Sequence, residues 1–403
     1  MKSSRFVSCL AALSMMLLAG ACGGDKQASP PTAPAIDVTK IDSGNYTAEP
    51  IDVQRIRNDQ SGFIQEAIRI GNAMPTAMDV DSRFIYEPHR FLSRFYTPKE
   101  PPELSTVEEN SDDFHKLAPG FIAGWYTQGQ RREEDKLGRY VLMRSLRFSN
   151  SDQANAAVQA LSNREQGDPL QIPGYPAAVA ALHQAKLYGG GFTSSWLSRG
   201  DMVFHVRVND PVSVPLDPAP LIEFTKKAFD RWITMSDAYS PTPPDEIESL
   251  PPDVDGLLSR TLPFDKNTRP VGGQEPAGVY PRQAALHFAN RPDLRKAAYD
   301  DAGVDYVAVG SALVYRTRDS RAGARLIAAL VNEGADSYDK IDGPPNMPGA
   351  QCFKAKPEIE NSWTAPPACY IAYDRYVATV RGSNLQDLYQ RTAAQYKLLA
   401  YGR

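Results

Sequence analysis

Histidine is scarce in this 403-residue chain: His89, His115, His183, His205 and His287 stand singly. No two are four apart, the spacing that sets two metal ligands on one helix face, so each is expected as an ordinary surface or core residue. No metal and no cofactor is expected. A G-x-S-x-G nucleophile elbow is also missing, which removes the opening motif of an α/β-hydrolase. There is no basic block, and 44 Lys and Arg against 48 Asp and Glu give a net charge of -4, so nucleic acid is not an expected partner. Only one stretch, at the amino terminus, approaches the length of a membrane span.

That stretch is "FVSCLAALSMMLLAGACGG", Phe6 to Gly24, with Lys2 and Arg5 before it and "DKQASPPTAPA" after it. A spanning helix needs about 20 apolar residues, whereas an export signal has a basic start, a core of roughly 7 to 15 residues and small residues at its cut. The signal reading fits better. Its end, "LAGAC", resembles the lipobox of bacterial lipoproteins, although Ala19 holds the place usual for leucine and Leu18 stands one further back. The resemblance implies lipid modification of Cys22 and cleavage before it. Acyl chains contribute about 0.8 kcal/mol per buried methylene, so two or more hold firmly. The proline-rich stretch beyond reads as an extended spacer. Loss of the signal leaves 42 basic against 48 acidic residues.

Cysteine is equally sparse, with four residues. Cys9 falls inside the signal and Cys22 at its cut, leaving Cys352 and Cys369 close together in an exported protein, where disulfides are permitted. A bridge closing such a loop is worth roughly 3 kcal/mol in the chain-entropy model. The rivals are free thiols or a metal pair, and two cysteines with no nearby histidine fall short of the four ligands zinc takes.

What is present is an alternation of strand and helix patterns. "SGFIQEAIRIGNAMP" has helical spacing, with Ser61 as its expected cap. A loop-rich section runs to about Pro119, then "GFIAGWYTQGQ" and "GRYVLMRSLRF" read as strands about a charged turn. "SNSDQANAAVQALSN" reads as a helix and "MVFHVRVND" as a strand, with Val203, His205 and Arg207 on one side and Phe204, Val206 and Val208 on the other. "PLIEFTKKAFDRWITM" is a helix with a broad apolar face from Leu221 to Ile233. The proline-rich, acidic "SPTPPDEIESLPPD" marks a domain boundary.

The second half repeats this order. "GVDYVAVGSALVYRTRDSRAGARLIAALVNEG" reads as strand then helix and overlays the first-half pair with Ser320 on Ser151, Ile327 on Val158, Leu330 on Leu161 and Asn332 on Asn163. "CYIAYDRYVATVRG" reads as a strand before a helix striped by Leu385, Leu388, Thr392, Tyr396 and Leu399. The expected architecture is α+β: two α+β domains, a possible tandem repeat, with antiparallel or mixed sheets packed by helices. Its expected parts are a signal at 1–21, lipidated Cys22 and spacer at 22–45, an N-terminal domain at 46–239, a linker at 240–253 and a C-terminal domain with the disulfide at 254–403.

Taken in order, "IDSGNYTAEP", "GLLSRTLP", "LHFANR", "AGVDYVAV", "GAQC", "CYIAYDRYVATV" and "AAQYKLLAYG" resemble a family of actinobacterial cell-envelope lipoproteins defined as a domain of unknown function. The resemblance spans most of the chain after the signal and implies export and paired cysteines, but no activity and no catalytic residues. It departs at Asp374, where many relatives have glycine. The carboxyl-terminal pattern also resembles, more loosely, the extracellular sensor domains of actinobacterial receptor kinases.

Other motifs carry little. "SYDK", Ser337 to Lys340, has S-x-x-K spacing without its companion motifs and sits among glycines and prolines, so a loop is expected. "LYGGGFTSSW" lacks the Lys-Ser/Thr ending of a phosphate loop and reads as a hairpin or bulged strand. Asp79 and Asp81 fall short of the six to eight oxygens calcium takes. Asn45 forms a sequon that a bacterial lipoprotein does not normally use. The expected function is therefore a non-catalytic lipoprotein, tied to the cell membrane at Cys22 and facing the extracytoplasmic space, that binds a wall component, a lipid or an envelope protein. The alternatives are an envelope-acting hydrolase with an unrecognised site and a purely structural scaffold.

Overall fold

The computed structural model describes residues 36–87, 94–103, 111–134, 137–165, 167–184, 190–264, 276–359 and 365–402. The signal, Cys22, His89 and the stretch from Leu187 to Gly189 lie outside them.

The first half runs α1 (Ser61–Asn72), α2 (Ala77–Val80), β1 (Phe95–Tyr96), α3 (Ser111–Leu117), β2 (Phe121–Gln130), β3 (Tyr140–Phe148), α4 (Ser151–Ser162), β4 (Asp168–Leu170), β5 (Val179–Gln184), β6 (Gly191–Arg199), β7 (Met202–Asp210) and α5 (Ala219–Ser236). The second runs β8 (Gly278–Pro281), α6 (Arg282–Leu286), α7 (Pro292–Ala302), β9 (Tyr306–Val309), β10 (Ala312–Arg316), α8 (Ser320–Glu333), β11 (Tyr338–Ile341), β12 (Gln351–Ala355), β13 (Ala368–Tyr373), β14 (Tyr376–Arg381) and α9 (Leu385–Ala400). Ser61 is not the cap of α1 but its first residue: its hydroxyl accepts from the Asn58 amide at 2.9 Å, and Gln60 holds the cap position without a side-chain bond.

Each half folds into a seven-stranded antiparallel sheet, and the two share one topology. The first has the order β1-β2-β3-β7-β6-β5-β4, the second β8-β9-β10-β14-β13-β12-β11. In both, a helix follows the third strand in the chain and another follows the last. The helices after the third strands start alike: Asn150 accepts from the Gln153 amide and Asp319 from the Ala322 amide. Arg144 pairs with His205 in the first sheet and Leu313 with Thr379 in the second. This register sets Arg144 against Leu313, the same 169-residue offset that lays Ser320 on Ser151. The chain is a structural duplication.

Two stretches read as single strands are hairpins. "YVAVGSALVYR" turns at Gly310–Ser311 between β9 and β10, and "ACYIAYDRYVATVR" turns at Asp374–Arg375 between β13 and β14. Asp374 has φ +51°, and its counterpart between β6 and β7 is Gly200 at φ +59°. A residue of left-handed conformation breaks an extended run, which explains why glycine suits this place.

The largest core cluster joins the halves. Ile68 and Ile70 of α1 belong to it with Trp125, Phe204 and Trp232 of the first half and with Tyr280, Ala284, Tyr299 and Leu326 of the second. A Cβ on Gly71 would fall 2.4 Å from the Trp125 ring, so only glycine lets α1 lie this close to β2. His287 follows α6, and its Nε2–H donates to the carbonyls of Gly71 (3.0 Å) and Met74 (3.1 Å).

The proline-rich boundary packs on the first half: Ile247 is buried, and Thr242 donates through its hydroxyl to Glu66 at 2.6 Å. Glu66 also accepts from Arg147 at 2.6 Å, from the Thr242 amide at 3.2 Å and from the Tyr239 hydroxyl. Within the expected spacer Ile36 and Ile41 pack on the second half, and the contacts continue into the first residues of the expected N-terminal domain. Ile41 lies in the second-half core with Val314 and Leu388, Tyr46 donates to Asp387, and the Ile51 amide donates to Ser259 at 2.9 Å. Cys352 and Cys369 face each other on β12 and β13 and form the disulfide. In α9, Leu388, Thr392, Tyr396 and Leu399 are buried, whereas Leu385 begins the helix exposed.

Candidate functional site

Strand alternation sends Tyr126, Arg144, His205 and Trp196 to one face of the first sheet, and pairing sets them side by side. Tyr126 opposes Arg144, Arg144 opposes His205, and His205 opposes Trp196, in one row across β2, β3, β7 and β6. The next row is Gln128, Leu142, Arg207 and Ser194, and the one beyond is Gln130, Tyr140, Asn209, Phe192 and, on β5, His183. On the other side of the first row, Leu146 and Val203 lie under α4 with Ala154, Ala157, Val158 and Leu161. The apolar part of the face is thus roofed by a helix, and its polar part extends beyond.

Ring contacts hold the polar rows in place. His205 stacks on Trp196 at 3.8 Å, His183 on Phe192 at 4.2 Å, and the Arg207 guanidinium lies 3.6 Å over the Phe192 ring. Ser194 Oγ and His205 Nε2 are 2.9 Å apart. Burial, and after it the positive fields of Arg144 and Arg207, hold the His205 imidazole well below its ordinary pKa, so it is neutral near pH 7.

The charges on this face are poorly matched. Among the described residues, Arg144 has one side-chain hydrogen-bond partner, the Tyr96 hydroxyl at 3.3 Å, and feels the Glu165 carboxylate only beyond contact distance. Arg207 reaches Asn209 at 3.4 Å and Glu165 only at 4.0 Å. The buried groups with no hydrogen-bond partner among the described residues include four donors of this face, Tyr126 Oη, Gln128 Nε2, Trp196 Nε1 and His205 Nδ1, and one acceptor beside Arg207, Glu165 Oε2. Buried polar groups are nearly always paired, and each exception asks for an explanation.

The duplication supplies an internal comparison. By strand register the second-half counterparts are Val309 for Tyr126, Leu313 for Arg144, Ala368 for Ser194, Tyr370 for Trp196, Thr379 for His205 and Arg381 for Arg207. The fold accepts valine, leucine and alanine in place of Tyr126, Arg144 and Ser194, so it does not require those three polar side chains.

Sequence reasoning put His205 and Arg207 on one side of their strand. It missed Arg144, Ser194, Trp196 and Tyr126, whose convergence depends on pairing between strands far apart in the chain. The other candidates go elsewhere. His115 Nε2–H donates to the Pro98 carbonyl at 2.7 Å. Asp79 closes a capping box with Thr76 and accepts from Gln283, and Asp81 is taken by Arg83 and Arg131, so neither is a cation site. Ser337 and Lys340 are exposed at and beside an edge strand, not one helical turn apart. The described part of the glycine loop leads directly into β6. Asn45 is exposed. A separate cavity of about 140 Å³, lined by Arg69, Tyr239, Ser240 and Pro281 among others, is well below the roughly 300 to 1,000 Å³ of ordinary ligand pockets.

The Ser194–His205 pair does not make a nucleophile. His205 Nδ1 has no acid to orient it. β6 pairs with strands on both sides, so its amides are committed to the ladder rather than to an oxyanion.

Fold and face together define a duplicated α+β module whose first copy carries Arg144, Ser194 and His205 on its sheet face where the second has Leu313, Ala368 and Thr379. The chain belongs to the family described as domain of unknown function DUF7373: its N-terminal part matches residues 53–252 and its C-terminal part residues 257–402. No curated protein matches the sequence. Among solved structures, the extracellular domain of PknH from Mycobacterium tuberculosis aligns over 47% of this chain and 99% of that one, at 10% identity and a TM-score of 0.29, too slight a likeness to carry an argument. Among the described residues, no helix is long and apolar enough to cross a membrane.

Proposed function

We propose that this chain is a non-catalytic binding protein of the actinobacterial cell envelope, held to the outer side of the membrane through lipid-modified Cys22, and that the polar face of its first sheet receives the ligand. The observation that carries the binding reading is the contrast between the copies: Arg144, Ser194 and His205 against Leu313, Ala368 and Thr379. Polar groups that a fold does not need, left partly unpaired on a buried face, mark a place of recognition. The ligand class open to it is a wall component, a lipid or part of an envelope protein. The anchor rests on "LAGAC" at Leu18 to Cys22.

The test is native mass spectrometry of the full chain extracted gently from envelopes. The native form carries a bound species at fixed stoichiometry, and a Ser194→Ala/His205→Thr form, which copies the second half, loses it. A ligand-free native form, or equal retention by both, removes the proposal. For the anchor, intact mass gives a diacylated Cys22 as the first residue, and Cys22→Ser keeps its signal uncut; cleavage and acylation unaffected by that change contradict it.

A further inference from the structure

The unpaired groups on the face, Glu165 Oε2 apart, have a common chemistry. A tryptophan Nε1–H and an amide Nε2 only donate, the Tyr126 hydroxyl can donate, and His205 donates from Nδ1 when the Ser194 hydroxyl donates to Nε2. Arg144 and Arg207 add two guanidinium forks, diagonal neighbours on β3 and β7, against the single carboxylate of Glu165 at 4.0 Å. Many donors and a surplus of positive charge call for a ligand that is negative and rich in acceptor oxygens. The row from Tyr126 to Trp196 crosses three inter-strand spacings, about 14 Å at ~4.8 Å each, which is wider than one anion.

Resting on the reading of this face as a binding site, we propose that its ligand is a phosphate ester of a polyhydroxylated group. The phosphate lies between Arg144, His205 and Arg207, and the hydroxyl-bearing part spreads toward Tyr126 and Trp196. Its source is a phospholipid headgroup or a soluble sugar or polyol phosphate.

The test is calorimetric titration of the full chain in nonionic detergent with inorganic phosphate, an inositol phosphate, short-chain phosphatidylinositol, free inositol and short-chain phosphatidylcholine. At least one phosphate-ester probe is expected to bind. Arg144→Leu, the residue at the matching second-half position, weakens it more than tenfold without changing the far-UV spectrum, and Arg381→Leu leaves it unchanged. Preference for inositol phosphate assigns the soluble source, and preference for phosphatidylinositol the lipid source. The proposal is overturned if neither ester binds, if free inositol binds as tightly as its phosphate, or if Arg144→Leu and Arg207→Leu leave affinity intact. A neutral co-purified species lost from the Ser194→Ala/His205→Thr form would end this inference while leaving the binding face in place. A chain free of any ligand would end both.

Discussion

His287 makes the contact between the halves sensitive to acid. Its Nε2–H bridges the carbonyls of Gly71 and Met74 at the end of α1, while Nδ1 is buried without a partner. Burial, followed by the charge of Arg94, lowers its pKa from 6.5 to about 4, against smaller opposing effects from Asp79 and the two carbonyls. Because the folded pKa lies below the unfolded one, acid favours the unfolded chain: stability is full above pH 6.5 and falls as pH drops toward 4. The pKa difference corresponds to roughly 3 kcal/mol when complete, and to about 2 kcal/mol at pH 5. Urea unfolding of the native chain and of His287→Gln, each at pH 7.5 and pH 5, isolates this share, since the other histidines cancel in the difference. The variant should lose about 2 kcal/mol less than the native chain on acidification. Equal losses would refute the reasoning.

Other perturbations test the rest of the framework. Arg147→Ala leaves the buried Glu66 carboxylate with only the longer contact to Arg69 at 3.7 Å and should cost about 3 kcal/mol, read from a denaturant midpoint; a loss under about 1 kcal/mol would mean the network is not a staple. Removing the disulfide by Cys352→Ala/Cys369→Ala opens a loop of 17 residues and should cost roughly 3 kcal/mol, with no change if the native chain is already reduced. Asp374→Gly relieves a left-handed non-glycine residue and should leave stability equal or up to about 1 kcal/mol higher; a clear loss would mean that the aspartate side chain outweighs the backbone.

Legibility in the sequence followed the range of the interactions. α5 was readable because Leu221, Phe224, Ala228 and Trp232 repeat at helical spacing and are buried as that spacing requires. The repeat was readable in the helix after the third strand, where cap and apolar stripe coincide at a constant offset, and in the strand and long helix that close each half. Its strand order was not, because antiparallel neighbours such as β3 and β7 lie some 60 residues apart. For the same reason "IDSGNYTAEP" gave no sign that Ile41 and Tyr46 dock on residues near Leu388 and Asp387. The candidate face was half legible: alternation in "MVFHVRVND" set His205 beside Arg207, and pairing alone brought Arg144 and Trp196 to them.

Occupancy of the face is tested most directly by an experimental structure of the protein purified from envelopes without exchange of its ligand. Density is expected between Arg144 and Arg207 that also meets His205 Nδ1 and the Tyr126 hydroxyl. Glu165 drawn in to pair both arginines, with the four donors satisfied by the protein's own side chains, would contradict it.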